Sequence, residues 1–380
     1  MELNDIRARI DAIDDELVRL FAQRMDCSRE VARAKQQTAK PIRDHARERA
    51  IVNRLTAAAG DENAPYVRAL YGHIFDLSRS CQSALWERQS PLTEEIARAV
   101  AETTGKRLPE HALVAVQGTE GAYSQQACER LFPYPDILYF DSFEGVFSAV
   151  EKGMCRYGIL PIENSTAGSV TQVYDLMEKH HFYIVGAQKL RIDHRLMRKN
   201  GASQAPITEV VSHEQALRQC SRFLAEHPQI KATVMENTAV AAEYVASSDR
   251  DDIAVIASKA CAELYGLDVV RDDISDSATN YTRFICISRK LEIYPQARKI
   301  SLMLNLAHEP GALNAVVSRL AIAGINLLKL ESRPLPGREF EFRFFFDMTA
   351  CAAEPEVIRL LGELEAHCDR FTFLGCYDEN

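Results

Sequence analysis

The chain has 380 residues, 47% of them hydrophobic and 26% charged, with a formal net charge of −9 and a pI near 5.7. This is the composition of a soluble globular protein long enough for two or three domains, and its acidity argues against nucleic acid or a membrane surface as partner. No apolar run reaches bilayer length and the N-terminus lacks the regions of a signal peptide, so the cytoplasm is the expected location. The 10 cysteines are scattered without a C-x-x-C pair, and the 10 histidines show no ligand spacing. They read as buried hydrophobes in a reducing compartment and as ordinary side chains, and no metal is expected.

Residues 1–88 carry only helical rhythm. Ile6, Ile10, Ile13, Leu17, Leu20, Phe21 and Met25 form one amphipathic stripe, and no Gly or Pro interrupts residues 2–40, so a first helix of some 35 residues ending at Pro41 is expected. A second helix fits 43–59, closed by Gly60, and a third fits 65–88 with Pro65 in its first turn. One long and two short helices make a poor core alone, so a helical dimer is expected. Residues 89–111 read as a linker with a short helix capped by Thr93. Over 112–290 the rhythm changes to β-branched runs alternating with helices ("ALVAVQG", "YGILPIE", "HFYIVGA", "ITEVVS", "DIAVIAS", "YTRFICIS"), the signature of α/β layers. The "YGILPIE" strand is expected to end at Pro161. Residues 298–377 read strand, helix, strand, strand, helix, strand, with Phe340, Phe342, Phe344 and Phe346 on one strand face.

Helix geometry sorts the polar residues of the first segment. Arg24 and Lys35, eleven apart, share a face; Asp44, Arg47 and Glu48 share another, and Ser78 and Gln82 a third. Arg7 lies roughly 25 Å along the helix from Arg24, out of reach within one chain but not in an antiparallel dimer. Taken singly, such pairs are ordinary solvated helix faces. Together, Arg7, Arg24, Lys35, "RDHARE" (Arg43 to Glu48), Ser78 and Gln82 resemble the all-helical chorismate mutase domain of bacterial bifunctional enzymes. The resemblance implies that Arg7 comes from the partner protomer. It implies further that Arg7, Arg24 and Arg47 bind the carboxylates of chorismate, that Lys35 and Gln82 donate to the breaking ether oxygen, that Glu48 and Asp44 meet the substrate hydroxyl or orient the cations, and that Ser78 lines the site.

In the α/β segment, "PIENSTAGSV" leaves a strand end and is expected to open a helix near Ser169; alone it is no more than a capped helix start. With "GTEGAYSQQA", "SHEQALRQC", "ENTAVAA" and "NYTRF" it resembles the prephenate dehydratase domain. Two departures stand out: Thr119 where Pro is usual, and Glu214, which adds negative charge near a site for an anion and is expected to weaken binding slightly. The resemblance implies two α/β lobes, similar to periplasmic binding folds, with the site between them. Loss of hydroxide from prephenate needs an acid or strong hydrogen-bond donor. Thr282, Glu163 and Glu236 are the candidates, and the choice among them is open. Asn164, Ser165, Gln215, Gln219 and Thr238 are expected to hold the carboxylates and ring; Arg283 either pairs with a carboxylate or is structural.

The last segment resembles an ACT domain, an α+β βαββαβ amino-acid sensor, through "PGALN" (Pro310 to Asn314) and "ESRP" (Glu331 to Pro334). Asn314 departs from the usual Val. The resemblance implies L-phenylalanine bound between paired domains by Gly311, Ala312, Leu313, Asn314, Glu331, Ser332, Arg333 and Pro334. The whole then reads as a chorismate mutase domain (1–88), linker (89–111), prephenate dehydratase domain (112–290) and ACT domain (298–377), needing no cofactor, at least dimeric, and feedback-inhibited by phenylalanine. A prephenate dehydrogenase fusion is disfavoured because no G-x-G-x-x-G follows a strand. An arogenate-preferring dehydratase and a catalytically inactive amino-acid sensor are the remaining rivals.

Overall fold

A computed structural model describes residues 3–38, 42–85, 90–202, 205–309, 311–335, 341–366 and 368–380. Pro41, Pro310, Phe340 and the end of the third expected helix (86–88) lie outside these. The chain divides into two compact units, 1–97 with 302–372, and 98–301 with 373–380.

The first unit opens with α1 (Leu3–Gln37), one uninterrupted helix of 35 residues. Its stripe faces outward: Phe21 is 36% exposed and Ile13 58%, with Ile6, Ile10, Leu17 and Leu20 between. The next two expected helices are two arms of α2 (His45–Leu85), broken at Gly60, where φ 74° and ψ 163° leave the helical region. Glu48 and Arg79, 31 residues apart, form an ion pair. In a straight helix they would stand some 45 Å apart, so the chain doubles back at Gly60 into a hairpin. α3 (Pro91–Glu102) follows. Its cap is Ser90, not Thr93: Thr93 N–H donates to Ser90 Oγ at 3.2 Å and Ser90 N–H returns to Thr93 Oγ1 at 2.8 Å. This reciprocal pair satisfies two otherwise orphaned donors.

The second unit is built of two lobes. The first runs β1 (His111–Gln117), α4 (Tyr123–Leu131), β2 (Tyr134–Phe140), α5 (Phe143–Glu151), β3 (Tyr157–Asn164), β4 (Gly168–Ser169), α6 (Thr171–Met177) and β5 (Tyr183–Arg191). The chain crosses to the second lobe, β6 (Arg195–Lys199), β7 (Glu209–His213), α7 (Glu214–Arg218), α8 (Ser221–Glu226), β8 (Lys231–Met235), α9 (Thr238–Ser247), β9 (Ile253–Ala257), α10 (Lys259–Tyr265) and β10 (Leu267–Arg271), and returns as β11 (Tyr281–Ser288). The sheets are ordered β2-β1-β3-β11-β5, with β4 on β3, and β10-β6-β9-β7-β8. β11 lies between β3 and β5, antiparallel to both, and every residue from Thr282 to Ser288 is buried. That two-sided burial explains its unbroken apolar run. α6 starts at Thr171 without a side-chain cap, so the expected capped helix at Ser169 is replaced by the short strand β4.

β3 does not end at Pro161 but continues to Asn164, and its register against β11 shifts at this point. Pro161 has no N–H for the ladder, and the bulge takes up Ile162. Beyond it Glu163 pairs with Arg283, and Asn164 with Thr282. Directly paired residues share a face and successive residues alternate, so Glu163 and Arg283 point away from the face that carries Asn164 and Thr282.

The chain then runs β12 (Lys299–Asn305), α11 (Ala312–Ile322), β13 (Asn326–Pro334), β14 (Phe342–Thr349), α12 (Pro355–Glu365) and β15 (Arg370–Tyr377), the expected βαββαβ order, with strands arranged β13-β14-β12-β15. In β14 the expected alternation holds, with Phe342, Phe344 and Phe346 on one face beside Met348, and the other face is buried as well, through Arg343, Phe345 and Asp347. Gly375 of β15 has φ 149°, and a Cβ there would stand 2.1 Å from the Ile184 carbonyl oxygen, so only glycine fits.

At the end of the chain Glu379 meets Lys299, Lys189 at 2.9 Å and Arg283 at 3.5 Å. Burial alone would raise its pKa, but the hydrogen bonds from Lys299 and Lys189, with the charges of Lys299 and Arg283, hold it at about 2. A depressed carboxylate stabilises the fold fully above its ordinary value of 4.5 and loses that contribution as pH falls toward 2. Glu379→Gln is therefore expected to lower the melting temperature at pH 7 and flatten its decline between about pH 4.5 and 2, read by thermal unfolding across pH. An unchanged acid limb would refute the assignment.

Candidate active sites

Two polar clusters collect the expected residues. In the first unit, α1 and the second arm of α2 bring Arg24 onto Ser78 Oγ and over the Phe75 ring at 5.7 Å, with Ser28 Oγ 3.3 Å from Ser78. Lys35 Nζ donates to the Ile42 carbonyl, which ties the end of α1 to the start of α2. Gln82, one turn beyond Ser78, is buried, and its Oε1 has no hydrogen-bond partner among the described residues. Asp44 accepts from the Arg47 backbone N–H at 2.9 Å, so it serves as a helix cap. Arg47 is exposed, and Arg7 is exposed far along α1.

One member of this cluster was not expected. Arg79 bridges the arms of the hairpin, holding Glu48 with one nitrogen and Asp76 at 2.6 Å with the other. All three are largely buried, and Arg319 of α11, 4% exposed, lies within electrostatic reach of Asp76 and Arg79. Its sequence neighbourhood, "DLSRSCQ", offers only an i, i+3 Asp–Arg pair, which is commonplace on a helix. Nothing local points 31 residues back to Glu48.

The second cluster lies between the two lobes, beyond the carboxyl ends of β3 and β7, where open α/β sheets collect ligands. A cleft of about 240 Å³ is lined by Thr166 and Asn280, by Gln215, Arg218 and Gln219 around α7, and by Ser275 to Ser277. Asn164 ties two of the lining residues together from behind. Its Nδ2 donates to Asn280 Oδ1 at 2.8 Å and to Thr282 Oγ1 at 3.0 Å, while its Oδ1 accepts from Thr166 and Ala167. Because Thr282 Oγ1 already accepts, its own proton is free to be donated. Asn280 is 1% exposed, and its Nδ2 has no hydrogen-bond partner among the described residues. An unpaired donor buried this deeply is costly unless a ligand completes it.

Other expected residues stand elsewhere. Glu163 pairs with Arg283 at 3.3 Å on the opposite face of the sheet, so neither sits with Thr282. Glu236 is exposed between β8 and α9 and does not line the cleft. Thr238 is the first residue of α9, which Asn237 caps. Ser165 clasps the chain at Thr279 and Tyr281 and is spent on that turn. Glu214 is matched by Arg218, so the negative charge expected to weaken binding is paired within α7.

The βαββαβ segment has its own cavity of about 360 Å³, lined by residues 306–309, Ala312 and Leu313, with Glu341, Phe342 and Phe344 across it. Gly311, at φ 90°, opens α11 beside it. Asn314 is exposed and outside the lining. Glu331, Ser332, Arg333 and Pro334 lie on the edge strand β13, where Glu331 pairs with Lys329 and Arg333, and none of them lines the cavity.

Residues 6–83 match the chorismate mutase type II family and residues 114–292 the prephenate dehydratase family. The bifunctional chorismate mutase/prephenate dehydratase of Escherichia coli (strain K12) is 31% identical over 98% of this chain and 95% of its own length. The chain belongs to the bifunctional chorismate mutase/prephenate dehydratase family. An arogenate dehydratase/prephenate dehydratase of Arabidopsis thaliana is 36% identical over 70% of the chain and 72% of its own length. Among solved structures, a prephenate dehydratase from Arthrobacter aurescens in complex with L-Phe is 26% identical with a TM-score of 0.64, covering 70% of this chain and 89% of that one. A protein described as a quorum-quenching acylase is 31% identical with the same TM-score, over 70% and 98%. The bifunctional enzyme thus carries its mutase family match on the helical segment and its dehydratase match on the two lobes. No described helix is long and apolar enough to cross a membrane.

Proposed function

We propose that the mutase and dehydratase activities of this enzyme act in sequence, chorismate to prephenate to phenylpyruvate, and that the βαββαβ segment is an ACT domain through which L-phenylalanine inhibits them. The observation that supports the dehydratase assignment is the polar set of the cleft: Gln215, Arg218, Gln219 and Asn280 line it, Asn280 Nδ2 has no hydrogen-bond partner among the described residues, and Asn164 links Asn280 to the Thr282 hydroxyl behind it. Asp276, the acid among the described lining residues, is engaged in capping α8. Prephenate is a dianion, and aromatisation drives loss of CO₂ once the ring hydroxyl departs. The cleft offers hydrogen bonds where negative charge gathers, and Thr282 donates to the leaving hydroxyl. This reading gives the donor role to Thr282 rather than to Glu163, which pairs with Arg283 on the other face of the sheet, or to the exposed Glu236.

In the mutase half, the rearrangement needs neither nucleophile nor cofactor. Arg24 and Arg47 hold the carboxylates of a folded chorismate, Lys35 and Gln82 donate to the ether oxygen, and Glu48 accepts from the substrate hydroxyl. Arg7 of a second copy completes the site, which the exposed stripe of α1 favours: an apolar helix face this long calls for a partner. Sedimentation at no less than the mass of two chains is expected. The cavity beside Gly311 suits phenylalanine: the backbone N–H groups that open α11 meet its carboxylate, and Leu313, Phe342 and Phe344 surround its ring.

Purified protein incubated with chorismate, without nucleotide or metal, is expected to form prephenate and then phenylpyruvate, and phenylalanine is expected to slow both steps. Prephenate that accumulates unchanged would remove the dehydratase cleft assignment, and rates indifferent to phenylalanine would remove the sensor.

A further inference from the structure

One buried titratable group beside the cleft has no part in the reaction as described. His194 lies between β5 and β6, where the chain passes from the first lobe to the second, and is 2% exposed. Its backbone N–H reaches Ser275 Oγ at 3.3 Å on the returning crossover between β10 and β11. From the first lobe, Tyr123 of α4 packs edge-on to its ring with centroids 5.9 Å apart. The Tyr123 hydroxyl donates to the Asp193 carbonyl at 2.9 Å and stands 3.4 Å from Nδ1. From the second lobe, Gln219 places Oε1 2.9 Å from Nε2. Burial pushes the imidazole pKa down, against the Gln219 hydrogen bond and the Asp193 charge; with the Gln219 oxygen 2.9 Å away, Nε2 is the ring nitrogen placed to donate.

Gln219 is a wall of the cleft. Its amide can offer a substrate either an acceptor oxygen, which an anion repels, or a donor NH₂, which an anion needs. We propose that His194 is a positioning residue of the dehydratase cleft: its Nε2–H donates to Gln219 Oε1 and so turns the Gln219 NH₂ toward a substrate carboxylate. Placed on the crossover and touched by a residue from each lobe, His194 holds this donor in register with Asn280, which Asn164 links to Thr282. The proposal rests on the reading of the cleft as the prephenate site.

The test is the steady-state kinetics of prephenate conversion by the full-length protein. His194→Phe and His194→Asn, which delete or misplace the donor, are expected to raise KM about tenfold with little change in kcat, the loss typical of one hydrogen bond to a charged group. His194→Gln, whose Nε2 reaches the place of the imidazole Nε2, is expected to restore most of the affinity. Gln219→Met is expected to match His194→Phe, and the double variant to be no worse than Gln219→Met alone, because the two act as one unit. His194→Gln as impaired as His194→Asn, losses that multiply in the double variant, or a loss confined to kcat would each overturn the proposal while the cleft assignment stands. Should His194→Phe fail to fold, the contrast of the Gln and Asn variants decides. A wild-type protein that leaves prephenate unchanged would overturn the cleft assignment and this proposal together.

Discussion

Replacing Thr282 with Val is expected to lower the dehydratase kcat by about 10²- to 10⁴-fold, the range of a lost general acid or its equivalent donor. Val keeps the shape and the β-branched fit of a strand residue in β11, so the sheet persists. What disappears is the O–H that Asn164 aims by donating to its oxygen at 3.0 Å. A second effect follows from the same contact: the Asn164 Nδ2 keeps Asn280 Oδ1 at 2.8 Å and loses its other acceptor. Asn164→Ala is therefore expected to be impaired as well, but less, since the Thr282 hydroxyl survives without its guide. Steady-state assay of prephenate conversion, with chorismate conversion measured on the same sample, separates the two sites. Loss of both activities in Thr282→Val, or retention of the dehydratase rate, would sink the assignment of Thr282. Glu163→Gln gives the contrast: its carboxylate pairs with Arg283 on the other face, and dehydratase kcat should change less than about threefold.

The second large effect is expected at Arg79. Arg79→Met keeps the length and helix propensity of the side chain but strips Glu48 and Asp76 of their shared cation. Breaking a buried pair by removing one partner leaves uncompensated charge and costs about 3–5 kcal/mol. Here two carboxylates share one guanidinium across the hairpin, and Arg319 of α11 is a further cation within electrostatic reach of Asp76. The variant should unfold at lower temperature, and its mutase kcat/KM should fall by at least about tenfold, because Glu48 no longer has a fixed position. Calorimetric unfolding and the rate of chorismate disappearance check the two parts. Arg79→Lys should recover stability better than activity, since an ammonium neutralises without holding both carboxylates in a fixed fork. A variant with wild-type stability and mutase rate would show that the bridge is incidental.

Much of this molecule was legible in its sequence. The length of α1, the break at Gly60, the strands on either side of the cleft and the βαββαβ order all follow from local causes: hydrophobic period, glycine and proline placement, and β-branched runs. The residue types of the two sites followed from motifs in which spacing and chemistry agree. What failed was direction. Glu163 and Asn164 are neighbours in one strand, and only the bulge beside Pro161 decides which faces Thr282. Ser165 and Thr238 carry the right chemistry yet are held by a turn and a helix start. Arg218, Asn280 and His194 became wall, donor and brace through the folding of one lobe against the other.

By itself, then, the sequence determined which segments are helix or strand, and which families of site they carry, because those properties rest on contacts within a few residues. Only the tertiary structure decided which acid is absent from the cleft, which arginine grips Glu48 across 31 residues, and which histidine braces Gln219. Those are contacts between residues far apart in the chain, set by strand register, a hairpin and a crossover. A one-residue shift in any of them would point the same side chains at different neighbours.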